Sequence, residues 1–450
     1  MNHQLAALAS QHHHSDYNRL RFGLNGAPNK YLPLSLSFPT HFHELSLRQT
    51  QAADTQTVWL LASDSPAHPT RLLTPSGADV LSLDLHDDLR AAMDEPLASL
   101  APARLLVKTS MSHPINITCL IPPELLSVLS ARATVICDSS PTLLHLPEKL
   151  FIHNLIVSHS LMLTDATNRA LHVALETALS SSLPQHEPDH KPPSSSISVS
   201  LSLQLPLSIT PSVEPSPEKQ QLIGNLFMSS CPGKKVRLND ASSNTGRSAV
   251  CRDLDMDLAR FKEQGIGCII CCLDDLELEF LGAPWPQYVK AAQRIGIDVL
   301  RLPIPEGLPP RSPEYLDTHL TRILNDYTLK GTSVLVHCRG GVGRAGVIAC
   351  SWLIKLGICG WVKDPPTALT PFSGGDNVNS TTAKKPAPKA MGAQKSQFAA
   401  TLEFVDTVIR YVRRRRSPKA VETFEQVRFL MQYVDYLKDK AGRAESCALS

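Results

Sequence analysis

Val334-Leu335-Val336-His337-Cys338-Arg339-Gly340-Gly341-Val342-Gly343-Arg344-Ala345-Gly346 fits two sequence patterns that imply different folds. Its tail, Gly341-x-Gly343-x-x-Gly346, matches the glycine fingerprint of a dinucleotide site. Its head, His337-Cys338 followed by five residues and Arg344, matches a loop in which a cysteine and an arginine close around a phosphate. A dinucleotide site also needs a second parallel strand after the helix, ending in an acidic residue about 20 positions on. Here the helix expected over 345–357 runs into Cys359-Gly360-Trp361 and a proline-rich segment, and Asp364 ends no strand. The dinucleotide reading fails on this context.

The phosphate-loop reading finds the parts it needs. Backbone N–H groups of Arg339, Gly340, Gly341, Val342 and Gly343 can wrap an anion, and the glycines allow close approach and unusual dihedrals. A helix starting near Arg344 points its positive end at the same place. Arg344 can hold two phosphate oxygens in a fork, which Lys cannot do. The same field favours the thiolate of Cys338, and His337 can orient the loop through side-chain hydrogen bonds. This chemistry requires no metal and no cofactor.

Spacing alone does not settle it, because Cys231-Pro-Gly-Lys-Lys-Val-Arg237 has the same Cys-to-Arg interval. That stretch lacks the glycines, the apolar strand entering and the helix leaving, so Cys231 is read as structural. Cys268, Cys271 and Cys272 have no second ligand pair at zinc-site spacing and are read as core.

Around the loop the pattern is βα. The apolar run GIGCIICCL and the segment IDVLRLPIP read as buried strands, and SVLVHC as the strand feeding the loop. Helices are expected over 258–264 and 286–295, and from a Ser312 cap with Pro313 in first position to Thr328. The expected architecture over 220–440 is α/β, a mostly parallel central sheet flanked by helices. A Pro-, Ser- and Lys-rich insert at 363–395 interrupts it, and 441–450 is a tail.

Upstream the chain is harder to read. Residues 1–56 are turn-rich and expected to be disordered. Residues 57–179 read as a separate α/β region of unassigned role, with strand candidates TVWLLASD, ADVLSLDL, ARLLVKTS and ATVICDSS and a helix over 165–179. The Ser- and Pro-rich segment 180–219 reads as a linker. A net charge of +2 over 450 residues gives no basic bias of the kind nucleic-acid binders show. No stretch approaches the roughly 18 uninterrupted apolar residues of a membrane span. Eleven cysteines without regular spacing, behind an N-terminus lacking a secretory pattern, point to free thiols in the cytoplasm or nucleus.

The loop HCRGGVGRAG, with NLFMSSCPGKK before it and PIPEGLPP and KAVETFEQVRFL around it, resembles the cysteine-dependent tyrosine and dual-specificity phosphatases, from about Gly224 to Leu437. The resemblance implies attack of Cys338 on phosphorus, a phosphocysteine intermediate and a phosphorylated protein as substrate. The family's acidic proton donor corresponds to Glu306, a longer side chain than the usual Asp, with Asp274, Asp275 and Asp298 as weaker candidates. Gln426 corresponds to the glutamine that positions the hydrolytic water. Ala345 stands where the family usually carries a hydroxyl that helps the sulfur leave. Glu306 and Ala345 keep open a phosphoprotein-binding pseudophosphatase, and a phosphoinositide is an alternative substrate. The run Arg413–Arg416 reads as a solvated helix end next to the active-site face, with a nuclear-localisation or phosphate-docking patch as the alternative.

Overall fold

A computed structural model of the chain describes residues 2–10, 32–62, 107–136, 140–155, 223–236, 238, 248–362 and 389–448. Six strands form its main sheet: β1 (Val58–Leu60), β2 (Thr118–Cys119), β3 (Leu226–Ser229), β4 (Ile266–Cys271), β5 (Asp298–Arg301) and β6 (Ser333–His337). Their spatial order is β1-β5-β4-β6-β3-β2. The central four strands are parallel, and β1 and β2 close the two edges in antiparallel orientation.

Both faces of the sheet are covered, which is why its strands read as continuous apolar runs. Side chains alternate between two cores, as the pleat requires. Cys268 and Ile270 of β4 join one cluster, while Ile269 and Cys271 join the other; Ile266, where the pairing with β6 is irregular, departs from the alternation. On the second face lie α4 (Leu254–Glu263), α5 (Asp275–Phe280) and α6 (Trp285–Ile295). On the first lie α7 (Pro313–Asp326), α8 (Gly343–Leu356), α9 (Lys389–Arg415) and α10 (Phe424–Ala448), with α1 (Asn2–Leu8) and α3 (Pro123–Arg132) against them. Every residue of α8 is buried, so the helix leaving the phosphate-loop motif is the centre of that layer. The Ser312 cap is in place, its hydroxyl accepting from Tyr315 N at 3.2 Å. Burial among apolar neighbours pushes the Cys271 thiol up to about 11, which fits its core reading.

The N-terminal half departs from the expectation. Its described parts are built into the same domain rather than standing apart. Residues 39–56, expected to be disordered, form the helix α2 (Pro39–Gln56). Its few apolar residues gain support from tertiary contact: Leu45, with Leu34, packs on Leu308. Among the described residues, strand candidate TVWLLASD holds β1, and ATVICDSS holds Thr134–Val135 in a two-residue ladder with Leu144–His145. ARLLVKTS contributes Lys108–Thr109 to a small side sheet with Val250–Cys251 and Lys235–Val236. The strand candidate at 78–85, the helix at 165–179, the linker at 180–219 and most of the insert at 363–395 lie outside the described residues.

A shortened chain starting at residue 223 should therefore fare poorly. It lacks β1 and β2, and Leu120, Ile121, Leu129, Leu144 and Ile152 of the main core. Burial of such side chains is worth about 1.5–3 kcal/mol each, and the bared sheet edges invite aggregation. Thermal melting should show this fragment aggregating or unfolding at least about 10 °C below the full chain, given roughly 2–4 °C per kcal/mol at this size. Equal melting temperatures would mean that the N-terminal segments are not structural.

Candidate active site

The phosphate-loop residues sit at the carboxyl end of β6, between the ends of β4 and β3: His337 pairs in register with Cys271 on one side and Ser229 on the other. This is the end of a parallel sheet where ligands bind. Gly341 N donates to Cys338 Sγ at 3.2 Å. Gly341 has φ +68°, and a Cβ there would lie 2.0 Å from Ser229 O, so both conformation and space demand glycine. Gly343 is also confined, whereas Gly340 has open space beside it. The loop closes with Gly343 starting α8, whose first N–H groups have no partner within the helix.

Arg344 lies in the first turn of α8. It makes a fork onto Glu277 of α5, at 2.6 and 3.0 Å, and donates to Ile304 O at 2.8 Å. Both side chains are almost fully buried. Burial pushes the Glu277 carboxyl up, with Arg344 pulling it back; the paired short contacts are those of an ion pair. Burial works most strongly against the Arg344 charge, but Glu277, Cys338 and Glu306 together outweigh it and hold the guanidinium protonated. Glu277 thus fixes Arg344 at the loop. Sequence reading missed it, because one acid within LDDLELEF carries no mark of its burial.

His337 turns away from the loop. Its Nε2 lies 2.9 Å from the hydroxyl of Tyr288 on α6, and burial drops it to about 3. As a neutral ring it ties the end of β6 to that helix. Cys231 is buried and braces the loop from outside: its N–H donates to Arg339 O at 3.3 Å.

Glu306 follows β5 and reaches the loop, 3.6 Å from Arg339 Nη1. The three weaker acid candidates do not come there. Asp274 caps α5 and pairs with Arg48, Asp275 pairs with Arg301 at 2.7 Å, and Asp298 accepts from Tyr327 and Ala62 N, both at 2.7 Å. The segment carrying Glu306 is tied down on several sides. Gly307 O accepts from Thr423 at 2.8 Å, Pro309 O from Gln49 of α2 at 2.5 Å, and Leu308 is buried against Leu34 and Leu45. The N-terminal helix therefore grips the loop of the candidate acid.

Gln426, the water-positioning residue that the resemblance implies, lies beside the loop, its Nε2 3.4 Å from where a Cβ on Gly343 would stand. It is fully buried, its Oε1 accepts from Glu422 N at 2.8 Å, and its Nε2 donates to Leu308 O at 3.4 Å. The residue it positions, Glu422, was not singled out from the sequence. A Cβ on Gly343 would lie 2.1 Å from Glu422 Oε2, so this carboxyl rests against the loop. The basic run is not a solvated helix end. Arg416 donates to Gly341 O at 3.1 Å, Arg415 to Cys119 O at 3.1 Å, and Arg413 to Ala420 O at 3.0 Å. Among its members Arg414 is exposed. A thiol under a backbone N–H, a clamped guanidinium and two carboxyls nearby can attack, hold and protonate a phosphate ester. Among the described residues no cluster of His, Cys, Asp or Glu is arranged to hold a metal, and no helix is long and apolar enough to cross a membrane.

Residues 255–400 match the family model of the Swiss Army Knife protein DSP-PTPase phosphatase domain. No curated protein matches the chain. Similar solved structures include kinase-associated phosphatase with its catalytic cysteine replaced by serine (20% identity, 48% of this chain and 88% of that chain, TM-score 0.30). Others are Tk-PTP in its active form (23%, 44% and 99%, TM-score 0.25) and PTPMT1 (15%, 48% and 94%, TM-score 0.27).

Proposed function

We propose that this chain, which carries a dual-specificity-phosphatase-like domain over residues 255–400, hydrolyses phosphotyrosine in proteins through a phosphocysteine, with phosphoserine and phosphothreonine as further substrates. The observation that carries the reading is the union of Cys338 Sγ under Gly341 N with Arg344 clamped by Glu277. The helix end and loop amides stabilise the anion, Arg344 holds its oxygens, and Cys338 attacks in line with the leaving oxygen. Ala345, buried in the first turn of α8, offers the sulfur no hydroxyl, so the Gly341 N–H supports the departing thiolate. Turnover of a phosphotyrosine peptide by the full chain tests the reading; binding without turnover would make it a pseudophosphatase.

Glu306 is the proton donor in this scheme. Glu306→Gln should lower kcat for a phosphotyrosine peptide by about 10²-fold or more, the usual contribution of a general acid. It should matter far less for p-nitrophenyl phosphate, whose phenolate departs without a proton. Equal losses on both substrates, compared by steady-state kinetics, would take Glu306 out of that role.

A further inference from the structure

We infer that Glu422 is the base of the second half-reaction, its carboxylate taking the proton of the water that attacks the phosphocysteine. This rests on the phosphatase reading above and adds a catalytic residue to it. The water oxygen bonds to phosphorus, and the P–S bond breaks with its electron pair returning to Cys338 Sγ as thiolate. The water's proton moves to the Glu422 carboxylate, phosphate leaves as the dianion, and Glu422 later releases the proton to solvent.

Position comes first. Gly343 is the last loop residue before Arg344, and the Glu422 carboxyl lies against it, within what would be 2.1 Å of a Cβ there. The approach depends on glycine at 343, since any side chain would displace the carboxyl. The backbone is bent to present it. Val421 has φ +57°, a left-handed conformation that a β-branched residue adopts only under constraint. Val421 O accepts from Ser10 N at 3.2 Å and from Arg413 at 3.3 Å. On the other side Gln426 Oε1 accepts from Glu422 N and Thr423 Oγ1 donates to Gly307 O. Gln426 Nε2 would lie 3.4 Å from the same Cβ and also donates to Leu308 O, so of the two side chains the Glu422 carboxyl lies closer to the loop.

Its surroundings suit a base. Burial, and then the Glu306 carboxylate, raise Glu422 to about 7, while Arg344, Lys419 and Arg339 pull it down. These groups come from the Glu306 loop, the phosphate loop, α8 and its own turn, while Arg413 of α9 is engaged by Val421 O and Ala420 O. A carboxylate of raised proton affinity is a stronger base than an ordinary one and still titrates near neutral pH. Glu306, paired with Arg339, serves the first step; Glu422 serves the second.

The test is rapid-mixing kinetics of the full chain on p-nitrophenyl phosphate, whose first step needs no acid. Glu422→Gln should give a burst of phenolate equal to the enzyme concentration, then a steady state slowed about 10²-fold or more. The burst itself reports a folded, reactive site. Wild-type kcat should rise with pH through about 7, because the ionised carboxylate is the active form, and the variant should lack that limb. Glu422→Asp should retain the limb at reduced rate. A Glu422→Gln variant with the wild-type steady state and pH profile overturns the proposal. So does one that keeps the wild-type melting temperature but shows no burst, because the residue would then act in the first step. Absence of any phenolate release by wild type would bring down the phosphatase reading itself, a result distinct from both.

Discussion

Cys338→Ser should abolish turnover of p-nitrophenyl phosphate by the full chain, a loss on the order of 10⁵–10⁶-fold such as follows removal of a covalent nucleophile. The serine hydroxyl would sit where Gly341 N now donates to sulfur, but it is not ionised at neutral pH and is a far weaker nucleophile there. The fold should survive, since the change is nearly isosteric. Arg344→Lys should fall by about 10²–10³-fold, because a single ammonium cannot reproduce the fork onto phosphate and Glu277 together. Cys231→Ser is the control. Its thiol is buried in the opposite core and only its backbone N–H touches the loop, so turnover should persist at a moderate stability cost. Equal rates for wild type and Cys338→Ser would remove the phosphatase reading, however well the loop superficially fits it.

The second large effect is expected at a residue that never needs to touch substrate. Glu277→Gln keeps the shape of the side chain but leaves the buried Arg344 guanidinium without its counter-charge. Removing one partner of a buried, hydrogen-bonded ion pair costs about 3–5 kcal/mol, and both partners here are nearly inaccessible. Urea unfolding should show a loss of that size. Activity should drop as well, since Ile304 O alone would hold the guanidinium at the loop. Arg48 lies 4.0 Å from the same carboxylate, so part of the destabilisation would come from two cations left facing one neutral amide. A Glu277→Gln variant as stable and as active as wild type would show that Arg344 is positioned by the helix and loop backbone instead.

The phosphate loop, the strand before it and the helix after it were legible from residues 334–357, as were Cys231 and the Cys268–Cys272 run as structural. Contiguous residues fix that geometry: a β-branched apolar run, glycines that alone tolerate the turn, and an arginine one position into the helix. The parallel sheet followed for the same reason, its strands buried on both faces and therefore uniformly apolar. Sequence also named Glu306, though only through family resemblance, and the structure places it beside Arg339. What surrounds the loop was decided by tertiary structure. Glu277 and Glu422 are two among 42 acidic residues, and nothing local marks them; each matters because a segment 67 or 79 positions from Gly343 or Arg344 folds back against the loop. Gln426 was named only through the resemblance, and its bonds to Glu422 N and Leu308 O are set by the tertiary structure. Helix α2 and the edge strand β2 are too short or too weakly patterned to announce themselves, while β1 was read as a strand but not as an edge of this sheet; they form because an unpaired strand edge and an exposed Leu308 are waiting at the far side of the chain. Backbone propensity and periodicity act over a few residues, whereas burial and charge pairing depend on who arrives from a distance, and that is set only when the whole sheet has closed.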